Sequence, residues 1–168
     1  RKMLIKTLLN NVEKYPSFVY RKIYLGVQDF NRCLIIEIHR RAGSKGKCPI
    51  CFKRCATYDT ARNPRLFSYV PIWGFPAYLS YSPRRVSCKE HGILTEHLPW
   101  SCGKERITNT YKIFLGSWAK RLSWAEVAEV FRTSWDTVFK SVKWLVEHGL
   151  KNRVLERIES IGIDELQV

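Results

Sequence analysis

Two pairs of potential metal ligands constrain the fold of this chain more than any other feature of its sequence. Cys48 and Cys51 form a C-x2-C pair in "KCPICF", and Cys88 and His91 repeat that spacing in "SCKEHG". Two thiolates at this spacing can bind one tetrahedral ion from a single tight turn, and a second pair completes a set of four ligands. Two such pairs, separated by sequence rich in short strands, predict a zinc ribbon.

Cys55 leaves the fourth ligand open, because it lies close behind Cys51 and could replace His91 or simply pack inside the ribbon. Paired knuckles favour His91. Four protein ligands leave no position for water, so we expect a structural zinc ion and not a catalytic one. Its binding energy would fold a small domain that lacks an extensive core.

The composition of the chain favours a nucleic-acid partner. Lysine and arginine total 29 against 15 acidic residues, a formal charge of +14 over 168 residues. Such an excess attracts polyanions, and nucleic acid is the commonest polyanion inside cells. No apolar run approaches the ~20 residues of a membrane helix, and the first residues lack the continuous apolar core of a signal peptide. We therefore expect an intracellular protein with no membrane partner.

The chain divides into units of different character. Residues 1–44 predict a short amphipathic helix that ends before Pro16, followed by a hairpin of "FVYRKIYLGV" and "RCLIIEIHRR" around the turn "QDFN". Residues 45–99 contain the ligand pairs and a stretch dense in aromatic residues, proline and glycine, which favours short strands over helices. We assign this second segment to the zinc ribbon.

Residues 100–157 have helical periodicity. Ser123 and Glu126 in "SWAE" match a capping box that begins one helix. After the turn "RTS", Thr133 or Ser134 can cap a longer helix that Gly149 would end. Its predicted buried stripe comprises Val138, Val142, Leu145 and Val146.

A short helix, a tight turn and a longer helix with outward basic residues is the plan of a helix-turn-helix, although a plain helical bundle has the same stripes. In this hypothesis arginine and lysine contact phosphates, and the first turns of the longer helix contact bases. The candidate DNA-binding residues are Arg84, Arg85, Arg132, Ser134, Trp135, Asp136, Lys140 and Lys143.

Seven motifs, taken in order, resemble the ISL-three family of bacterial insertion-sequence transposases. They are "CPIC", "YDTARNPR", "PIWGFPAYLSYSPRRVSC", "GILTEHLPW", "ERIT", "LSWAEVAEVFRTSWDTV" and "IGIDEL". Two positions differ from the family pattern: His91 stands in place of a final cysteine, and Val86 in place of an aromatic residue. Histidine is a competent zinc ligand, so the site is retained.

The resemblance implies that Asp164 in "GIDEL" is the first acidic residue of a DDE catalytic triad on the first strand of an RNase H-like fold. Such triads hold two divalent ions, so Mg2+ is expected only for the intact catalytic domain. The expected fold class is α+β: a β-rich zinc ribbon, a helix-turn-helix domain, and residues 158–168 as the start of a truncated catalytic domain. This part of the enzyme alone is expected to be inactive.

The resemblance therefore predicts the DNA-binding N-terminal part of a DDE transposase that recognises the terminal inverted repeats of its own element. A bacterial cytoplasmic, nucleoid-associated location and a homo-oligomeric intact protein are expected. The alternative is a non-catalytic DNA-binding regulator derived from a transposase, and an RNA-binding or protein-interaction module ranks third because it makes no use of "GIDEL". A reading frame that continues past Val168 into two further acidic residues would favour the enzyme.

Overall fold

Residues 4–151 form two β-sheets and a helical unit in a computed structural model, and the description is confined to these residues. The helices are α1 (Ile5–Val12), α2 (Asn109–Trp118), α3 (Trp124–Val130) and α4 (Trp135–Lys151). The strands are β1 (Phe18–Gln28), β2 (Asn31–Arg40), β3 (Gly46–Lys47), β4 (Arg54–Thr60), β5 (Arg65–Ile72), β6 (Phe75–Tyr81), β7 (Arg84–Cys88) and β8 (Gly92–Thr95). This architecture is α+β, as the sequence predicts.

The first sheet has the strand order β1-β2-β6-β5 and will be called the aromatic sheet. Its β1–β2 hairpin turns at Asp29 and Phe30, both with positive φ, which confirms the turn predicted at "QDFN". Residues 33–36 of β2 are buried without interruption, because β2 is a central strand whose two faces are both covered. Strand β6 runs parallel to β2, with Leu34 opposite Ala77.

The sheets do not follow the order of the chain. The β5–β6 hairpin lies in sequence between β4 and β7 of the ribbon, yet it joins β2 and completes the aromatic sheet. Strands of the segment 45–99 are therefore shared between two sheets, and the hairpin of the segment 1–44 does not form a unit of its own. The physical reason is the second edge of the buried strand β2, whose backbone N–H and C=O groups need hydrogen-bonding partners from elsewhere in the chain.

The core of the aromatic sheet centres on Trp100, which is 1% exposed. Its ring meets those of Phe18 and Tyr81 edge-on, at centroid distances of 4.8 and 5.2 Å. Edge-to-face contacts of this kind add to the free energy gained by burial. Trp100 comes from the segment after β8, so that segment closes the sheet from one side.

The second sheet has the order β3-β4-β7-β8, with all neighbouring strands antiparallel. Gly46 in β3 lies against β7 so closely that a Cβ atom there would be 2.6 Å from Val86 Cγ1. Glycine is therefore required for this approach. The sheet carries all four predicted zinc ligands on its strands or in the adjoining loops.

Helices α2, α3 and α4 pack around Leu115, Val127 and Val138, which are fully buried. The predicted capping box is confirmed: Ser123 Oγ accepts the N–H of Glu126, whose carboxylate accepts the N–H of Ser123 at 2.8 Å. Helix α4 differs from the prediction at its C-terminal end. It continues through Gly149 to Lys151, and Val146 of the predicted buried stripe is 55% exposed.

Glu13 connects α1, the aromatic sheet and the helical unit. Its carboxylate accepts hydrogen bonds from the hydroxyl groups of Tyr15 at 2.7 Å and Tyr20 at 3.3 Å, and also from Tyr69 and Thr110. Burial, together with the nearby carboxylate, raises the pKa of the three tyrosines, so they remain neutral donors. The end of α1 is thereby joined to β1, β5 and α2. None of the helices in residues 4–151 is both long enough and apolar enough to span a membrane.

Candidate metal centre and nucleic-acid interface

The two ligand pairs meet at one end of the ribbon. One ligand atom from each of Cys48, Cys51, Cys88 and His91 lies within 4.8 Å of the other three. Cys51 Sγ is 3.7 Å from Cys88 Sγ, and His91 Nδ1 is 3.5 Å from Cys88 Sγ and 3.7 Å from Cys48 Sγ. Zn–S and Zn–N bonds in a tetrahedron give S···S near ~3.8 Å and S···N near ~3.5 Å. The residues present therefore fit a zinc ion, with His91 as an Nδ1 ligand.

Backbone geometry shapes the first knuckle. The N–H of Ile50 points at Cys48 Sγ at 3.5 Å, and the N–H of Cys48 donates to the carbonyl of Lys53 at 2.9 Å. Phe52 has a φ of +58°, so the chain turns back sharply after Cys51. The second knuckle follows β7 directly, with Cys88 as its last residue and Gly92 in the left-handed region. Short strands and tight turns thus place both pairs at the same end of the ribbon sheet.

The electrostatics of the ligands differ: a backbone hydrogen bond of Lys53 favours the Cys51 thiolate, but burial and the neighbouring Cys48 and Cys88 outweigh it and raise the pKa of Cys51. The hydrogen bond from His91 lowers the pKa of Cys88 to about 6. An ion pair between Lys53 and Glu90 links the two knuckles on the outer surface. That pair lowers the pKa of Glu90 and raises that of Lys53, so both side chains remain charged.

Cys55 lies outside this ligand cluster. Its side chain is buried, its Sγ donates to the carbonyl of Lys53 at 3.4 Å, and its backbone pairs with Gly46 in the ribbon sheet. Burial raises the pKa of its thiol, with a further contribution from nearby Cys88. The ligand atoms of Cys48, Cys51, Cys88 and His91 already form a complete set of four without it. The structure therefore favours His91 over Cys55 as the fourth ligand.

Two knuckles with a Cys3His set on a short antiparallel sheet define a zinc ribbon. Residues 44–91 match the family model described as the zinc-finger of transposase IS204/IS1001/IS1096/IS1165, and the matched region ends at the last ligand, His91. This match of residues 44–91 supports the resemblance to ISL-three transposases that the motifs indicated. Neither a curated protein nor a solved structure matches the chain significantly.

The prediction that Arg84 binds DNA is wrong. Its side chain is 3% exposed, and its Nε donates to Glu96 Oε2 at 2.7 Å in a buried ion pair. Its Nη1 donates to the carbonyl of Ser44 at 2.7 Å. The neighbouring Arg85 points the other way and pairs with Asp59 at the surface. Arg84 is therefore part of a buried ion pair and is inaccessible to a phosphate.

Apart from Arg84 and Arg85, which lie on β7, the candidate DNA-binding residues lie in or after the α3–α4 turn. Arg132 has a φ of +49° in this turn, and Ser134 caps α4 by accepting the N–H of Thr137 at 3.1 Å. The exposed face of α4 carries the remaining candidates, Trp135, Asp136, Lys140 and Lys143. The structure thus places six of the eight candidates in the α3–α4 turn and the first half of α4.

Two features modify this face. Lys140 forms an ion pair with Asp136 at 2.6 Å, and both side chains are largely exposed. Trp135 stacks on Phe139, with ring planes 4° apart and centroids 5.5 Å apart, and also contacts Trp124 of α3. The aromatic contacts hold the first turn of α4 against α3.

Sequence reasoning missed two further basic residues, Arg62 and Arg65. They flank Asn63 and Pro64 in "ARNPR": Arg62 lies in the loop between β4 and β5, and Arg65 begins β5. A basic residue on either side of a proline-containing loop was the available signal. Asp164, the candidate catalytic residue, lies outside the described residues.

Proposed function

We propose that this chain binds double-stranded DNA as the N-terminal part of a DDE transposase and recognises the terminal inverted repeats of its insertion sequence. The observation that carries this proposal is the transposase-type zinc ribbon with its complete Cys3His ligand set. The ribbon is covalently continuous with a basic helical unit, and the formal charge of +14 favours a polyanionic partner.

In this proposal α3, the turn at residues 131–134 and α4 act as a helix-turn-helix, with α4 entering the major groove. Three observations support that role. Helix α3 is short and capped, α4 begins immediately after a tight turn, and α2 packs behind both through Leu115. The N-terminal residues of a recognition helix contact base edges, which places Trp135 and Asp136 nearest the bases.

Lys140 and Lys143 lie further along the same exposed face and are suited to backbone phosphates. Each has an acidic partner one turn away on α4: Asp136 for Lys140, and Glu147 for Lys143 at 4.0 Å. Exposed pairs of this kind are worth little, so a DNA phosphate can replace the carboxylate at small cost. The zinc ion would be held by Cys48, Cys51, Cys88 and His91, where its contribution is to fold the ribbon.

For the intact protein we propose DDE-type strand cleavage and transfer, with Asp164 as the first of three carboxylates. Carboxylates in such sites position two divalent cations, which activate the attacking oxygen and stabilise the leaving one. The direct test is Asp164→Asn in the intact protein. Strand cleavage should be lost while affinity for the element ends is retained.

DNA recognition is tested by measuring the affinity of the purified protein for duplexes that carry the inverted repeats flanking its own gene, against scrambled duplexes, over a range of salt concentration. Replacing Lys140 and Lys143 with alanine should reduce the slope of log K against log salt by about 1.8, or ~0.9 for each lost phosphate contact. The matched control is Lys6→Ala with Lys14→Ala, two exposed lysines near the ends of α1.

Equal loss in both double variants would show that only total charge matters and would refute the α4 interface. Specific binding at another genomic site, with none at the element ends, would favour the regulatory alternative.

A further inference from the structure

A basic pocket lies on the ribbon, away from α4 and away from the zinc ligands. It has a volume of about 330 Å³ and is open to the surface between the β4–β5 loop, β7 and β8. Its polar lining consists of Asp59, Thr60, Arg62, Arg65, Arg85 and Thr95. Three arginines thus line one concave space together with a single acidic residue, Asp59.

The charges in this pocket are unequally paired. Arg85 Nε donates to Asp59 Oδ1 at 2.8 Å, and a second hydrogen bond joins its Nη2 to the same carboxylate. Within the described part of the chain, Arg62 and Arg65 have no ion-pair partner. Three positive groups and one negative group leave a net charge of +2. Arginine forks of this kind match the geometry of phosphate oxygens.

The framework of the pocket is rigid. Arg65 is the first residue of β5 and pairs with Tyr81 of β6, and Arg85 pairs with Thr95 across β7 and β8. The guanidinium of Arg85 also lies 5.2 Å from the centre of the Tyr58 ring. Arg85 is therefore held in place on two sides, while Arg62 and Arg65 remain available to an incoming ligand.

We propose that this pocket binds a phosphate group of the DNA backbone, with Arg62 and Arg65 as hydrogen-bond donors. Arg85, held by Asp59 and Tyr58, contributes a fixed positive charge. The inference rests on the proposed DNA-binding function and adds a second contact region, on the ribbon itself. Such a contact positions the duplex without reading its sequence. Binding through the pocket should therefore strengthen the affinity for specific and scrambled duplexes alike.

The test compares the wild-type protein with Arg62→Gln plus Arg65→Gln by fluorescence anisotropy on duplex DNA between about 50 and 200 mM salt, the range in which phosphate contacts alter affinity strongly. The slope of log K against log salt should fall in magnitude by about 1.8 on both duplexes. Arg62→Lys plus Arg65→Lys should retain most of the slope, because the charges remain. The charge-matched control is Arg21→Gln plus Lys22→Gln on β1, at the opposite edge of the aromatic sheet from β5.

Each outcome decides between the two proposals. Wild-type protein that binds no duplex refutes the proposed function and the pocket with it. Normal DNA binding with an unchanged slope in the Arg62/Arg65 variant refutes the pocket alone, as does an equal loss in the Arg21/Lys22 control. A slope that changes on single-stranded RNA of the same length, but not on duplex DNA, assigns the pocket to RNA and overturns the inference. Zinc content equal to that of wild type shows that the ribbon of each variant is folded.

Discussion

The two sheets of this protein are stabilised in different ways. The aromatic sheet buries a core of large side chains, among them Phe18, Ile36, Leu79 and Trp100. In the described ribbon, the buried apolar cluster consists only of Cys48, Cys55, Val86 and Cys88. Three of these four are cysteines, and two of the three are zinc ligands. The ribbon therefore has almost no apolar core apart from its metal centre.

The contrast shows how one chain can contain both kinds of sheet. Strands β4 and β7 of the ribbon are separated by the β5–β6 hairpin, which belongs to the aromatic sheet. The stable sheet thus holds the end of β4 and the start of β7 near each other, and this reduces the entropy cost of pairing them. The metal supplies most of the remaining stabilisation.

The largest effect is expected from loss of the metal, which should destabilise the ribbon and leave the aromatic sheet folded. Cys51→Ser should abolish tight zinc binding and remove stabilisation of order 10 kcal/mol from the ribbon. Hydrogen exchange followed by mass spectrometry should then show protection lost in β3, β4, β7 and β8 and retained in β1, β2, β5 and β6. Chelation of zinc from the wild-type protein should give the same pattern.

Cys55→Ser is the matched control for this experiment, because it alters a thiol of the same cluster that lies outside the ligand set. It should retain one zinc ion per chain by elemental analysis. Loss of zinc in this variant, with retention in His91→Ala, would make Cys55 the fourth ligand. Uniform loss of protection in both sheets after chelation would contradict the proposed independence of the aromatic sheet.

The next largest effect should come from the core of the aromatic sheet. Trp100→Ala removes a fully buried ring and should lower the free energy of unfolding by about 4 kcal/mol. The control is Trp73→Ala, at a turn where the side chain is 76% exposed, with an expected change below about 0.5 kcal/mol. Urea denaturation followed by circular dichroism measures both changes. If the folded Trp100 variant lost its zinc at neutral pH, the ribbon would depend on the sheet more closely than we infer.

A smaller effect is expected at the buried ion pair between Arg84 and Glu96. Arg84→Ala leaves the carboxylate of Glu96 buried with a hydrogen bond from Tyr81 at 2.6 Å but without its cation, and should cost about 3 kcal/mol. The value is at the low end for buried pairs because Glu96 keeps hydrogen bonds from the Tyr81 hydroxyl and from the backbone N–H of residue 84. Arg85→Ala, which breaks an exposed pair, should cost less than about 1 kcal/mol.

Arg84→Met combined with Glu96→Met should recover part of the lost stability, because no unpaired charge remains. Urea denaturation of the single and double variants gives the comparison. Equal destabilisation by Arg84→Ala and Arg85→Ala would mean that the buried pair contributes no more than a surface pair.

Local sequence signals predicted the features that depend on neighbouring residues. The ligand spacing located the metal cluster, and Ser123 with Glu126 located the start of α3, since both arrangements are completed within a few residues. The burial of Arg84 was also encoded locally. In a strand, residues two apart share a face, and Arg84 shares that of Val86 and Cys88, whereas Arg85 faces away.

Long-range pairing could not be predicted in this way. Nothing near β5 or β6 in sequence specifies that β6 will pair with β2, because the hydrogen bonds join residues as far apart as Leu34 and Ala77. The partner of Arg84, Glu96, becomes apparent only when β8 is placed beside β7. The basic pocket likewise requires Arg62, Arg65 and Arg85 to be brought together by both sheets.

The smallest effect concerns His97, which follows Glu96 and lies where the sheets meet. Burial, and next the positive charge of Lys47, lower its pKa, and Glu96 opposes this in part; its ring meets that of Phe52 edge-on at 5.0 Å. Since the folded state disfavours protonation, the unfolded chain binds the proton more readily below about pH 6.5, the ordinary histidine value. The stability contributed by neutral His97 is therefore complete above that pH and declines as the pH falls.

Comparison of His97→Gln with wild type separates this contribution from the pH dependence of zinc binding. Its destabilisation relative to wild type, from urea denaturation at matched zinc concentration, should be greater at pH 7.5 than at pH 5.5. A destabilisation that is equal at the two pH values would mean that His97 is protonated equally readily in the folded and unfolded states. A destabilisation that is greater in acid would mean that the charge of Glu96 outweighs burial, so that the junction of the two sheets favours a protonated imidazole.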